Sequence, residues 1–543
     1  MNPIGKILLN SRKTFYNFYK NLKASQGEIF FLLLIFIFSF FVRYIGLTFG
    51  YPLNVHSDEP VSLIPVYNMT KEMNLNPNTF QRPDQIMYLL NYIFLNIISF
   101  FKTGQNFAYA FPTNKFLYYV YSRGIIVTFG SLIPLVAYKI GKESSIDYSI
   151  PAALFFSFFP IFVRHSHYST PDIPITFFTL IVVLFSTRYI RKKEEKYLYL
   201  ATVFSSINTA EKYPGLISFG LIIFSILWVQ TAKFKEQPQK LLNHFLKESF
   251  KFFGFYLASL YIIAPNLFIH YGKVIEQITK EARDTHLGHD GLGWIGNMIF
   301  YLNNFLNYSN VLIVIFIILG LIGLIKTKKY EVLPCLYGLI YWLILSKVPL
   351  HWERWGLPMY TAPLLIAAFG FSFLWDVLRK RGYFNSILIL LLTLTIIWSL
   401  IFSLSISINL TYTDTRVAAL HYCEEVGITK ENTVYEGATP FLPSDPRTFH
   451  LSKVNENTKY IMLSSSMYER YYKESIRYQE QVNEYKTVMS KYPLIKTFSP
   501  TPSISTINLI SWINDIEYYI QRQLGNNPSQ RFTGPTILIY KVK

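Results

Sequence analysis

Two adjacent carboxylates, Asp58 and Glu59, close the stretch Tyr51-Pro-Leu-Asn-Val-His-Ser-Asp-Glu-Pro60, shortly after a long apolar run. A carboxylate so placed can act as a general base or hold a cation. It can equally just start a helix, because Ser57, Asp58 and Pro60 form a good N-cap and N1 signal for a helix ending near residue 73. On the local residues alone the two readings stand level. A second polar stretch, Arg164-His-Ser-His-Tyr-Ser-Thr-Pro-Asp-Ile-Pro174, sets Asp172 at the opening of another apolar run. Capping by Thr170 or Asp172, with Pro171 and Pro174 shaping the entry, leaves Arg164, His165 and His167 unexplained. The i,i+2 histidines without a third nearby ligand are weak evidence for a metal. A third site, Glu211-Lys-Tyr-Pro-Gly215, offers Lys212, which can snorkel to a membrane interface or face an anionic head group. Arg123 lies inside an apolar run, where an ionisable side chain is costly and points to function or to a buried partner. A fourth stretch, residues 347–358, brings Lys347, His351 and Arg354 between Trp352 and Trp355. An aromatic belt accounts for the tryptophans, whereas arginine suits two-point binding of a phosphate. Glu281, His286 and the Gly288-His-Asp-Gly291 turn, which carries His289, occupy a further long loop of the kind that can gate a site.

The elements that must position these residues are membrane helices. Of 543 residues, 51% are hydrophobic and 15% charged, against about 25% charged in ordinary soluble domains. That balance excludes a disordered chain, a coiled coil and a conventional nucleic-acid binder. Apolar runs at 28–48, 117–139, 148–163, 173–190, 197–213, 215–232, 252–269, 311–325, 332–345, 357–375 and 384–408 predict about eleven spans, several short for a ~30 Å hydrocarbon core. Residues 86–101 are apolar but short, with Asn91 and Asn96, and read as an interfacial or re-entrant helix. The basic leader 1–27 and the loops 139–142, 191–196, 233–251, 326–329 and 379–381 fall on one side, which the positive-inside rule makes cytoplasmic. The other side receives 49–116, 164–171, 212–214, 270–297 and 347–356, where the chemistry-bearing residues lie, and the tail after residue 409. The net charge of +18 thus reports insertion more than partners. Cys335 and Cys423 give no disulfide framework and no metal-ligand spacing. The tail, 411–543, is polar and Tyr-rich; alternation at 433–435, 460–463 and 536–542 predicts strands, with helices at 416–425 and 466–485, hence a small α/β domain.

The chain resembles bacterial members of glycosyltransferase family 39, related to dolichyl-phosphate-mannose protein mannosyltransferases and to the aminoarabinose transferase of lipid A. The stretches that carry the resemblance are His56-Ser-Asp-Glu-Pro60, Leu75-Asn-Pro77 with Phe80 and Pro83, Ser166-His-Tyr-Ser-Thr-Pro-Asp172, Lys212-Tyr-Pro-Gly215, Gly288-His289, Arg354 with Leu357-Pro358, Asp414-Thr-Arg416 and Gly534-Pro-Thr-Ile-Leu-Ile-Tyr540. The resemblance implies a GT-C fold in the cytoplasmic membrane, with a transmembrane catalytic domain over 28–410 and the first outer loop 49–116 at its centre. It implies an inverting glycosyltransferase that moves a sugar from a polyprenyl-phosphate carrier to an extracytoplasmic glycolipid, cell-envelope glycan or protein. Asp58 becomes the base, with Glu59 orienting it or the acceptor. Lys212 and Arg354, then Lys347 and Arg123, become candidates for the carrier phosphate. Asp172, His165, His167 and His289 become candidates for acceptor binding or for support of the site. No metal site is assigned, although His286, His289 or Asp172 could join Asp58 around a divalent cation. The alternative is a flippase for an anionic polyprenyl-linked lipid; transporters, however, set their polar groups near the bilayer midplane, whereas these gather at one face.

Overall fold

The computed structural model describes residues 25–543 except 284, 290, 328–329, 331, 379–383, 502–507, 527 and 543. Most of the basic leader and the basic loop 379–381 lie outside the described residues. Helices dominate up to residue 409. Two of them, Asp172–Lys192 and Leu357–Leu378, are apolar around most of their circumference and form the centre of the bundle. Ser25–Tyr44 and Phe384–Asn409 instead expose rows of Ile, Leu and Phe, the surface that lipid covers.

Among the described residues seven helices are long and apolar enough to cross a membrane, or eight if the pair Gly293–Asn307 and Val311–Thr327, bent by 117°, counts as one span. The chain is a multi-pass integral membrane protein. The expected count of about eleven is not reached because several runs do not build a full-length apolar helix. Residues 148–163 break into Ser149–Phe158 and Pro160–His165 at Phe159, where Pro160 withholds the N–H that a continuous helix needs. Glu195–Glu211 has 17 residues and a polar composition, and Val332–Ser346 has only 15. The opposite correction applies to residues 86–101. They form the 19-residue helix Gln85–Thr103, which passes the same length and hydropathy test. Asn91 and Asn96 donate their amides to the carbonyls of Met87 and Tyr92, at 2.9 and 2.7 Å, so both amide groups bond within the helix itself.

The tail forms the expected α/β unit. Thr433–Tyr435 pairs in parallel with Tyr460–Ser464, and Ile537–Lys541 lies antiparallel between Tyr460–Ser464 and Leu494–Phe498. The single helix expected at 466–485 is two, Ser465–Lys473 and Gln479–Lys491. The unit is anchored twice to the bundle. Trp512, on the helix Leu509–Gln523, stacks on Phe402 of the last apolar helix with centroids 4.1 Å apart. Arg416 pairs with Asp414 and donates to the carbonyl of Val55 at 2.9 Å, three residues before Asp58.

Candidate active site

Asp58 is the N-cap of the helix Glu59–Glu72, yet its side chain makes no capping hydrogen bond. It reaches instead to Arg354, with Oδ2 2.9 Å from Nη2. Asp172, the first residue of Asp172–Lys192, likewise leaves its own helix uncapped. Its Oδ1 lies 2.5 Å from the Lys212 ammonium and its Oδ2 3.7 Å from Arg354 Nε. The four side chains therefore alternate in sign, Asp58, Arg354, Asp172, Lys212, along one contiguous line. Asp172 is sealed at 1% exposure, while Asp58 and Arg354 are about a quarter exposed and accessible to a ligand.

Each group is fixed by its local chain. Lys212 ends the helix Glu195–Glu211 in extended conformation, and the chain folds straight back through Pro214. Gly215 is required there, since a Cβ would meet the Asn208 carbonyl oxygen at 2.2 Å. Arg354 sits on the short turn Glu353–Gly356, its guanidinium 5.6 Å from the Trp352 ring, and Trp355 lies beneath Lys212 at 5.8 Å. The His56 ring stacks on Tyr168 at 4.3 Å and accepts from the Asp58 N–H at 3.3 Å, which orients the loop that presents Asp58. Burial opposes ionisation of Asp58, but Arg354 beside it, with His56, Arg82 and Lys212 behind, holds its carboxyl well below the usual carboxylate range.

The other expected residues are placed differently. Glu59 does not share a pocket with Asp58. Fully buried, it binds Arg123 at two points, both 2.8 Å, and accepts from the Ser169 N–H at 3.1 Å. Arg123 also donates to the carbonyls of Leu47 and Phe49, so it is sealed away from a carrier phosphate. His165 faces Glu353 at 3.0 Å, beside Arg164 and Tyr308. Both ring nitrogens of buried His167 face backbone carbonyls, of Val163 and Ile45, at 2.9 Å. Lys347 is exposed, with its ammonium over Trp294 rather than in the alternating line. His289 stacks on Trp352 at 4.6 Å; its burial and the nearby Arg470 push its pKa down to about 4, leaving a neutral ring. Among the described residues no three His, Cys, Asp or Glu side chains gather as a metal site would need, and Arg354 and Lys212 fill the ground around the two aspartates.

One residue was missed. Arg82 binds Asp84 through Nε at 2.8 and 2.9 Å, donates to Ser62 Oγ at 3.2 Å and contributes its charge at both Asp58 and Asp172. The sequence shows only an isolated arginine between Gln81 and Pro83, far from either aspartate, and its nearest signal is the neighbouring Phe80 and Pro83 of the family-like stretch.

Residues 93–275, roughly a third of the chain, match the family model described as dolichyl-phosphate-mannose-protein mannosyltransferase. That segment is similar to the protein mannosyltransferase family. The chain is accordingly a membrane glycosyltransferase that uses a lipid-phosphate-linked sugar donor. The family segment contains Arg123, Asp172 and Lys212 but ends before Arg354 and begins after Asp58. Among solved structures, the archaeal oligosaccharyltransferase AglB of Archaeoglobus fulgidus, in complex with an inhibitory peptide and a dolichol-phosphate, is similar at 12% identity and a TM-score of 0.52, over 96% of this chain and 89% of that one. The apo oligosaccharyltransferase of the same organism is similar at 11% identity and a TM-score of 0.51, over 88% and 74%. These likenesses are of fold, the GT-C type. ArnT of Cupriavidus metallidurans, bound to undecaprenyl phosphate, aligns at 11% identity and a TM-score of 0.47, over 95% and 98%. No curated protein matches the chain.

Proposed function

We propose that the chain is an inverting transferase that takes a sugar from a polyprenyl-phosphate carrier on the extracytoplasmic side and passes it to a hydroxyl of a glycolipid, cell-envelope glycan or protein. The observation that carries this reading is the alternating line Asp58, Arg354, Asp172, Lys212 at the ends of four separate elements. An arriving carrier phosphate competes with the two aspartates for Arg354 and Lys212, and Arg82 adds a third cation from the side. As Arg354 turns to the phosphate, Asp58 loses the partner that keeps it a weak base.

The reaction then needs one proton acceptor and one stabilised leaving group. The acceptor oxygen attacks the anomeric carbon from the face opposite the phosphate, and its proton passes to the Asp58 carboxylate. The bond from the anomeric carbon to the phosphate oxygen breaks, and Lys212, Arg354 and Arg82 stabilise the charge left on the carrier phosphate. Asp172 holds Lys212 and Arg354 in place, while Glu59 and Arg123 lock the helix start from which Asp58 projects.

The test is the Asp58→Asn variant with an undecaprenyl-phosphate-linked sugar. It should insert, fold and bind undecaprenyl phosphate yet lose sugar transfer; full transfer would remove Asp58 from the mechanism. Carrier movement across vesicles by the wild type with no transfer at all would favour the flippase reading instead.

A further inference from the structure

The segment 75–82 ends on Arg82, which is held by Asp84 and Ser62, and its shape comes only in part from its own sequence, where Asn74 and Asn76 accept from the N–H groups of Asn76 and Asn78. Asn78 and Asp84 both hold left-handed backbone, with φ of 57° and 45°, a region that asparagine and aspartate tolerate better than most residues other than glycine. Further support comes from across the molecule. Asn266 donates to the Leu75 carbonyl at 3.2 Å, His270 meets the Asn76 amide at 3.0 Å, and Lys273 donates to Asn78 Oδ1 at 2.5 Å. The strongest grip is that of Gln277, on the helix Tyr271–Glu281. Its one carbonyl oxygen accepts from the consecutive N–H groups of Phe80 and Gln81. The Phe80 carbonyl is held from the other side by the Tyr213 hydroxyl at 2.6 Å, next to Lys212, and the Phe80 ring is fully buried. Two adjacent backbone donors converging on one acceptor fix the direction in which the next residue leaves, and that residue is Arg82.

We propose that Gln277 is a positioning residue for carrier binding: through the backbone of Phe80 and Gln81 it aims Arg82 at the Asp58–Arg354–Asp172 line. The helix that bears it has a second face, on which Tyr271, Ile275 and Ile278 are exposed at i, i+4 and i+7, a pattern suited to lying in a membrane interface. Gln277 does not touch the phosphate, and this inference rests on the reading that Arg82 does.

The experiment is the binding of undecaprenyl phosphate to the full-length protein in nanodiscs. Gln277→Leu, which keeps the bulk but strands both N–H groups, should raise Kd roughly tenfold. Gln277→Glu keeps the acceptor and should bind within about twofold of wild type, since a carboxylate accepts from backbone N–H groups at least as well as an amide. The double variant Arg82→Ala with Gln277→Leu should bind no more weakly than Arg82→Ala alone, because both changes remove the same interaction. Tyr213→Phe, which deletes one hydroxyl, should shift Kd in the same direction by a few-fold at most and serves if Gln277→Leu does not fold. Wild-type binding by Gln277→Leu, failure of Gln277→Glu to rescue, or losses that multiply in the double variant would each overturn the role. Wild-type binding by Arg82→Ala alone would remove Arg82 from the phosphate site, a failure of the underlying reading that this arm identifies by itself.

Discussion

The carboxylate of Glu59 and the guanidinium of Arg123 form a two-point ion pair, with Nε to Oε1 and Nη2 to Oε2 both 2.8 Å and neither side chain reached by solvent. Arg123 also lies over the Phe49 ring at 3.7 Å, and Ser169 completes the shell of Glu59. The pair ties the helix that follows Asp58 to the helix Lys115–Lys142 and to the loop before Asp172. It therefore acts as a fixed base for both aspartates of the site.

Breaking one half of such a pair leaves an uncompensated buried charge. Arg123→Met should destabilise the protein by about 3–5 kcal/mol, visible as a large drop in the thermal unfolding midpoint in detergent. Whatever fraction remains folded should still bind undecaprenyl phosphate. A stable Arg123→Met protein defective only in carrier binding would return Arg123 to the phosphate site.

This pair also marks where the sequence stopped being readable. An arginine inside an apolar run demands a buried partner or a function, and the fold supplies the buried partner. Which carboxylate satisfies it depends on how the chain returns over itself, and Asp58 and Glu59 are neighbours with the same chemistry. A one-residue difference at the helix start sends one to solvent and Arg354, the other inward to Arg123. The capping signal at Ser57, Asp58 and Pro60 fixed the helix start but not the side chain's destination, since Arg354 competes successfully for the oxygen that a cap would use. Lys347 and Arg354 lie in one tryptophan-rich stretch, and only Arg354, the one suited to two-point phosphate binding, faces the aspartates. In the fold, the strands at 433–435 and 460–463 were legible from alternation. Leu494–Phe498 was not, because it is an exposed edge strand that buries no alternating face.

Lys212 and Lys347 provide a paired test of that distinction. Lys212→Met should weaken binding of undecaprenyl phosphate by about 1.5–3 kcal/mol, roughly ten- to hundredfold in Kd, as loss of a charge-assisted contact requires. Lys347→Met should leave Kd unchanged. Equal losses in the two variants would mean that diffuse positive charge, rather than the line of four, attracts the carrier.

The pH dependence follows from the Asp58–Arg354 contact. With Arg354 in place, burial is outweighed and the Asp58 carboxyl is held below its ordinary value, so it stays ionised through neutral and mildly acidic pH. The stabilisation from the pair is present above the unfolded carboxyl value of about 4 and is lost only as pH falls through the depressed folded one. Removing the cation in Arg354→Met leaves burial to act with less opposition, and the carboxyl rises. The acid limb of kcat/KM against pH should therefore move upward in Arg354→Met, whatever the residual rate. A limb that stays where it is would mean that Arg354 does not set the charge state of the base.

The tail enters the chemistry through Arg416, whose guanidinium is fixed by Asp414 at 2.8 Å on both oxygens and donates to the Val55 and Pro443 carbonyls at 2.9 Å. Val55 precedes His56, which orients Asp58, so the α/β unit sets one end of the loop that carries the base. The carrier cations stand on other elements and do not depend on that contact. Arg416→Met should accordingly lower kcat by an order of magnitude or more, about 1.4 kcal/mol per tenfold, while Kd for undecaprenyl phosphate stays near wild type. Arg416→Lys cannot restore the planar, multi-point geometry and should recover little. Parallel losses of kcat and carrier affinity would show instead that the tail holds the whole site together, not the base alone.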